Sequence, residues 1–255
     1  MSNTIVLVTG VSRGIGRTLL ETYLVRPHHT VIGSIRDPSA PYASDLQSLP
    51  TATGTTLHLV KIESSNADDA FAAVQQLASS DSAPTIKHLD VVIANAGGAG
   101  ENGIIPLDSV SGAVVTDVLA VNALGPLALY QTIKPLLEKA AAPVWVSISS
   151  AAGSIGRLEL HKAHIAPAYG IAKAALNWVT IAIHSANKGF VAFAVHPGLV
   201  QTESGNRSAR AMGLPQAPNP QRQSVDGILG LVDSATREKT SGKFFNVIDG
   251  TEIPW

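Results

Sequence analysis

Seven apolar runs of strand length recur along this chain of 255 residues, and segments of helix length separate most of them. The runs are Ile5–Val8, Thr30–Ile35, Leu57–Ile62, Leu89–Ala94, Val144–Ser149, Phe190–His196 and Phe244–Ile248. Helices are expected from Gly14 to about Arg26, over Ala67–Ser79, around Val110–Ala120 and Ala123–Ala141, and from Pro167 to about Asn187. Short runs so uniformly apolar are buried on both faces, as in a parallel sheet covered by helices on either side. No composition break, Gly/Ser linker or internal repeat divides the series, so one α/β domain over residues 1–255 is predicted, with a doubly wound, seven-stranded parallel sheet. Gln201 to Gln223, rich in Pro, Asn, Ser and Arg, is the one long stretch that reads as a loop, and long loops in compact domains usually serve function or move.

The turn between the first strand and the first helix is Thr9-Gly10-Val11-Ser12-Arg13-Gly14-Ile15-Gly16. Gly10 permits a sharp turn, while Gly14 and Gly16 let a pyrophosphate approach the backbone. The phosphates then meet unbonded N–H groups at the positive end of the helix. A glycine pattern alone is weak, since Gly is common in every turn. Between a strand and a helix it becomes the dinucleotide fingerprint of a Rossmann fold, with Gly10, Ser12, Arg13, Gly14, Ile15 and Gly16 as candidate cofactor contacts. About twenty residues on, the second strand should end beside the adenosine ribose, where a carboxylate favours NAD and an arginine favours NADP. The residues there are Ile35-Arg36-Asp37-Pro38. Arg36 can pair with a 2′-phosphate and Arg13 can reach the same group. Asp37 could instead bond a ribose, although an Asp-Pro pair more often shapes a turn. NADPH/NADP is therefore the expected cofactor, with NAD less favoured.

Tyr169 and Lys173 stand four apart in the longest predicted helix, on one face. An ammonium there can lower the phenol's pKa from about 10, so that it exchanges protons near neutrality. With four tyrosines and 18 Lys+Arg in the chain, chance gives about 0.3 such pairs, so the spacing gains weight from the glycine turn that precedes it. A nucleotide and an acid/base together point to hydride transfer at a carbon bearing oxygen.

Composition narrows the partners. Hydrophobic residues make up 45% and charged residues 15%, enough apolar material for a large core. A formal net charge of -1 without a basic block argues against nucleic acid. The chain has no cysteine, which removes disulfides, thiol catalysis and Cys-ligated metals. The eight histidines lack metal-ligand spacing, and no metal is expected. Neither a signal-peptide pattern nor an uninterrupted apolar run of membrane length is evident, so a cytoplasmic protein without membrane partners is expected.

Six ordered motifs, Thr9-Gly10-x3-Gly14-x-Gly16, Asn95-Ala96-Gly97, Asn122, Ser149, Tyr169-x3-Lys173 and Pro197-Gly198, make nearly the whole chain resemble the short-chain dehydrogenase/reductase family. Within it, the Arg36-Asp37-Pro38 run and the C-terminal Asp249-Gly250-Thr251-Glu252-Ile253-Pro254-Trp255 resemble the NADPH-dependent carbonyl-reductase branch, sniffer-type and fungal norsolorinic acid ketoreductase-like. The resemblance implies that Asn95, Ala96 and Gly97 line the adenosine side of the cofactor. Glu63 falls where the family usually has an Asp near the adenine. Pro197 and Gly198 would back the nicotinamide, with Val200 and Thr202 near its carboxamide. Lys173 would also hold the ribose and Asn122 a water that links it to solvent. Tyr169 would give its proton to the carbonyl oxygen. Ser149 would donate to that oxygen, with Ser150 its nearest rival. The long gap between Ser149 and Tyr169 leaves the substrate entrance open.

The resulting expectation is an NADPH-dependent ketoreductase acting on a small-molecule ketone or aldehyde. Two alternatives stay open: an NAD(P)-dependent alcohol dehydrogenase acting mainly as an oxidase, and an NADPH-binding sensor or scaffold without turnover. Ala-rich segments 123–141 and 172–186 would suit either internal packing or a homodimer or homotetramer interface.

Overall fold

Seven parallel strands form one sheet in the order β3-β2-β1-β4-β5-β6-β7. They are β1 (Thr4–Val8), β2 (His29–Ile35), β3 (Thr56–Lys61), β4 (Val91–Ala94), β5 (Val144–Ile148), β6 (Val191–His196) and β7 (Phe244–Asn246). The computed structural model describes residues 3–78, 86–100 and 104–255. The predicted sheet is therefore present, with β4 and β7 shorter than their apolar runs. Ser79, the expected end of the third helix, lies outside the described residues.

Strand alternation sorts the apolar side chains into two cores. Val6 and Val8 face one side, packing with Leu19, Leu20 and Tyr23 of α1 (Gly14–Leu24) and Val225, Ile228 and Leu229 of α8 (Gln221–Asp233). Ile5 and Leu7 face the other side. There they join Ala70 and Leu77 of α3 (Ala67–Ala78), Leu129 and Ile133 of α5 (Gly125–Leu137), and Val179 and Ile183 of α6 (Pro167–Ala186). A short α2 (Pro41–Gln47) caps the β2–β3 connection, with Leu46 fully buried.

Two expectations change. The two helices predicted between residues 110 and 141 are one helix: α4 (Gly112–Leu119) runs through a π-turn at Ala120–Leu124 into α5. The combined helix is long and apolar enough to cross a bilayer by length and composition alone; here it packs against α3 and α6. The stretch Gln201–Gln223 is not a bare loop either. It contains α7 (Glu203–Ala211), started by Thr202, whose side chain accepts a bond from the Gly205 N–H.

The strand order reverses between β1, which goes on to β2, and β4, which goes on to β5. This switch opens a crevice at the C-terminal ends of the strands, where ligands of open α/β sheets bind. Every motif singled out above lies along that edge.

Candidate active site

The glycine turn is locked to the end of β4 before any ligand is considered. The Thr9 hydroxyl accepts bonds from the Asn95 and Ala96 N–H groups, both at 2.9 Å. The Asn95 amide donates to Thr9 O at 2.8 Å and to Gly10 O at 3.3 Å. Gly10 has φ +71°, a left-handed conformation that other residues adopt at a cost. A Cβ on Gly16 would lie 2.2 Å from the Gly10 carbonyl oxygen, so the turn closes onto α1 only with glycine there. Helix α1 starts at Gly14 with no side-chain cap and no acidic residue in its first turn. Uncapped N–H groups beside a glycine-built cradle fit a pyrophosphate. Asn95 is therefore a brace for that cradle, and its side chain is used on backbone.

On the adenosine side, Arg36 and Glu63 meet each other: Arg36 Nε lies 3.1 Å from Glu63 Oε2. Arg13 pairs with Glu203 at the start of α7. Both arginines expected at a 2′-phosphate thus face the crevice edge, each with a carboxylate beside it. Asp37 accepts bonds from the Ser39 N–H at 2.9 Å and the Ser39 hydroxyl at 2.6 Å, the turn that an Asp-Pro pair makes. These bonds hold its carboxyl below the usual carboxylate range.

Asn122 is fully buried in the π-turn. Its Oδ1 accepts from the Gly98 N–H at 3.0 Å, and its Nδ2 donates to Gly98 O and Val118 O, each at 2.8 Å. Its amide clamps the turn that follows β4. Gly97 completes the fit, since a Cβ there would sit 2.6 Å from Asn122 Oδ1 and 3.4 Å from Lys173 Nζ. The space in front of Lys173 is kept open by that missing side chain.

Lys173 and Tyr169 share one face of α6, with the ammonium 5.6 Å from the centre of the Tyr169 ring. Lys173 is 3% exposed and donates to Ile148 O at 2.8 Å. Burial without a carboxylate lowers its pKa to about 7. The phenol is pushed up to about 12 by burial, which outweighs the lowering effect of a hydrogen bond with Ser150. Burial thus works against the expected acidification of Tyr169 by Lys173.

The two adjacent serines take opposite directions. Ser149 is 2% exposed and points away from Tyr169, its hydroxyl donating to Asn177 Oδ1 at 2.5 Å. Ser150 is the serine that meets Tyr169. Strand alternation is the reason. Ser147 and Ser149 both face the inner side of α6, Ser147 bonding Thr180 at 2.7 Å, so the next side chain turns toward the crevice. Ser150 also starts a 3₁₀ turn at Ala151–Gly153, accepting from the Ala152 N–H at 3.2 Å.

The remaining wall comes from two connections. Pro197 and Val200 are buried after β6, and Thr202 meets the glycine turn: a Cβ on Gly14 would be 3.2 Å from the Thr202 methyl. Gly198 has φ +86° and no room for a side chain, with Ile248 2.7 Å from its would-be Cβ. The long gap before Tyr169 forms turns and a second 3₁₀ segment, Ala163–Ile165. It is tied to the C-terminal segment by Ser154 Oγ donating to Pro254 O and by the Gly156 N–H donating to Trp255 O at 3.1 Å.

Residues 4–212 match the short chain dehydrogenase family. The chain is 44% identical to short-chain dehydrogenase srdF of Neurospora crassa, over 99% of this chain and 98% of that one. It is 39% identical to norsolorinic acid ketoreductase nor1 of Dothistroma septosporum, over 98% and 91%. Among solved structures, NADPH-bound carbonyl reductase from chicken fatty liver aligns at a TM-score of 0.84, with 29% identity over 100% of this chain and 95% of that one. The chain belongs to the short-chain dehydrogenase/reductase family and is an oxidoreductase with a site for an NAD(P) cofactor.

Proposed function

We propose that the enzyme reduces a ketone or aldehyde to an alcohol with NADPH. The observation that carries this reading is the placement of the Tyr169 phenol beside Ser150 and on the same face of α6 as Lys173, whose Nζ lies 5.6 Å from the ring centre. A phenol so placed can give its proton to a carbonyl oxygen as hydride arrives at the carbon. The ketoreductase and carbonyl reductase named among the relatives support the same direction.

NADPH supplies the hydride when bound. Tyr169 Oη delivers the proton to the carbonyl oxygen, and the Ser150 hydroxyl donates to that oxygen as negative charge develops on it. Lys173 stands behind the phenol, and with a pKa near 7 it is available to return a proton after turnover. Asn122 and Gly97 keep the approach to Lys173 open. Arg13 and Arg36 would take the 2′-phosphate, exchanging Glu203 and Glu63 for a doubly charged group that each can bind with two N–H donors. The exposed face of α6, with Ile171 and Trp178, is the surface that a homodimer or homotetramer would cover, and sedimentation velocity reads that state.

A panel of ketones and aldehydes incubated with NADPH or NADH tests the assignment. Loss of reduced-cofactor absorbance with NADPH and a carbonyl compound is the expected result. Turnover only with alcohols and oxidised cofactor, or cofactor binding without turnover of any compound, would replace the reading with the oxidase or the sensor.

A further inference from the structure

Asn177 stands four residues after Lys173 and eight after Tyr169, so one face of α6 carries all three. It is 3% exposed. Its Oδ1 accepts from Ser149 at 2.5 Å, and its Nδ2 donates to Gly153 O at 3.2 Å. Only one orientation of the amide satisfies both contacts, because the flipped one would set two acceptors, Oδ1 and the Gly153 carbonyl, against each other. Asn177 therefore grips the five-residue segment Ser149–Gly153 at both ends, and Ser150 lies between the grips.

The segment has little room to rearrange. A Cβ on Gly153 would be 2.7 Å from the Lys173 carbonyl carbon, so the turn rests directly on the helix. The Ser147–Thr180 bond on the same face ties β5 to α6 without reaching that turn. Asn177 is thus the side chain on this helix that couples the strand end to the turn beyond Ser150.

We propose that Asn177 is a positioning residue for proton transfer, fixing the Ser150 hydroxyl against Tyr169 by holding Ser149 and Gly153. The inference rests on the ketoreductase reading for its kinetic consequence but not for its geometric one. Asn177→Leu keeps the volume and removes both bonds. A loss of kcat of about 10- to 100-fold is expected, the scale of a small misplacement in a site, with NADPH affinity unchanged. In the Ser150→Ala background the same substitution should cost almost nothing more, since the hydroxyl it positions is gone. Thr180→Val, which loses a buried bond elsewhere on the helix, should lower Tm and leave kcat alone. An Asn177→Leu loss of the same size with and without Ser150 would overturn the proposal, as would an unchanged kcat. If Asn177→Leu fails to fold, Ser149→Ala removes one grip with a minimal change and should lower kcat in the same Ser150-dependent manner; a Ser149→Ala loss that ignores Ser150 would overturn it equally. Should the wild type turn over no carbonyl compound, the function fails separately. A crystal structure of whichever variant folds then decides the geometry. Ser150 displaced from Tyr169 supports the positioning role, and Ser150 still bonded to Tyr169 overturns it.

Discussion

Tyr169→Phe removes one oxygen and leaves the ring, the helix and the packing in place. A turnover loss of about 10²–10⁴-fold is expected, with NADPH affinity retained, in steady-state kinetics and fluorescence titration. Near-normal turnover would move the search to other acids, with His161 of the adjoining loop first. Lys173 yields a test that needs no substrate. Its pKa is about 7 in the fold, against 10.5 for an ordinary lysine. Between those values the unfolded chain binds a proton that the folded chain does not, so raising the pH favours folding there. Stability should climb from pH 7 toward pH 10 in the wild type, and that increment should vanish in Lys173→Met. Equal unfolding free energies from urea titrations at pH 7 and pH 10 would count against a buried, easily neutralised lysine. Tyr169 and Lys173 were legible because a helix fixes what lies four residues away. Ser150 was not, because choosing between adjacent serines requires the phase of the strand, and the polar run Ser147–Ser150 hides it. Asn177 was hidden for a different reason: its partners, Ser149 and Gly153, lie 28 and 24 residues away in sequence.

At the level of elements, the sheet and the glycine turn follow directly from the apolar runs. Helix α8 was not among the helices expected, although Val225, Ile228, Leu229 and Val232 repeat at helical spacing and are all buried. Helix α7 offers no such stripe. It buries only Ala209, and it forms because Thr202 caps it and Asn206 Oδ1 accepts from the Ala217 N–H at 2.9 Å. So thin an anchorage should open locally more easily than α6 does. Amide hydrogen exchange should show α7 exchanging faster than α6 without cofactor and gaining protection with NADPH, through the Arg13–Glu203 pair at its start; equal protection in both states would contradict this coupling. The β2–β3 end carries a second expectation. Arg36→Ala should cost about 1.5–3 kcal/mol of NADPH binding, roughly tenfold or more, and little for NADH. Glu63→Gln should act oppositely, because Arg36 no longer has to leave a carboxylate. Such partly exposed pairs contribute up to about 1 kcal/mol, so a gain of up to about fivefold is expected by calorimetry. Weaker NADPH binding by Glu63→Gln would instead make Glu63 a direct contact.

For the whole molecule, the crevice is assembled from β1, β4, β5, α6 and the β6–α7 connection, which are far apart in sequence and meet only in the folded sheet. NADPH bound there stabilises the entire fold by mass action. At a concentration 100 times Kd the gain is about 2.7 kcal/mol, and for a protein of this size each kcal/mol raises Tm by about 2–4 °C. A rise of roughly 5–11 °C with NADPH, and a smaller one with NADH at the same concentration, is therefore expected in thermal melts. Equal rises would argue against a 2′-phosphate site.

The π-turn at Ala120–Leu124 has a genetic consequence. A π-turn holds one residue more than the α-helical turn it replaces, while the helix on either side keeps its facing. Losing a single codon elsewhere in the span 112–137 would rotate everything beyond it by about 100° and bring polar positions against the core. Losing one codon within 120–124 would heal the helix and leave both flanks where they are. A single-codon deletion scan of this span should therefore find one island of folded protein, centred on the segment that carries Asn122, in which the chain survives and the clamp on Gly98 does not.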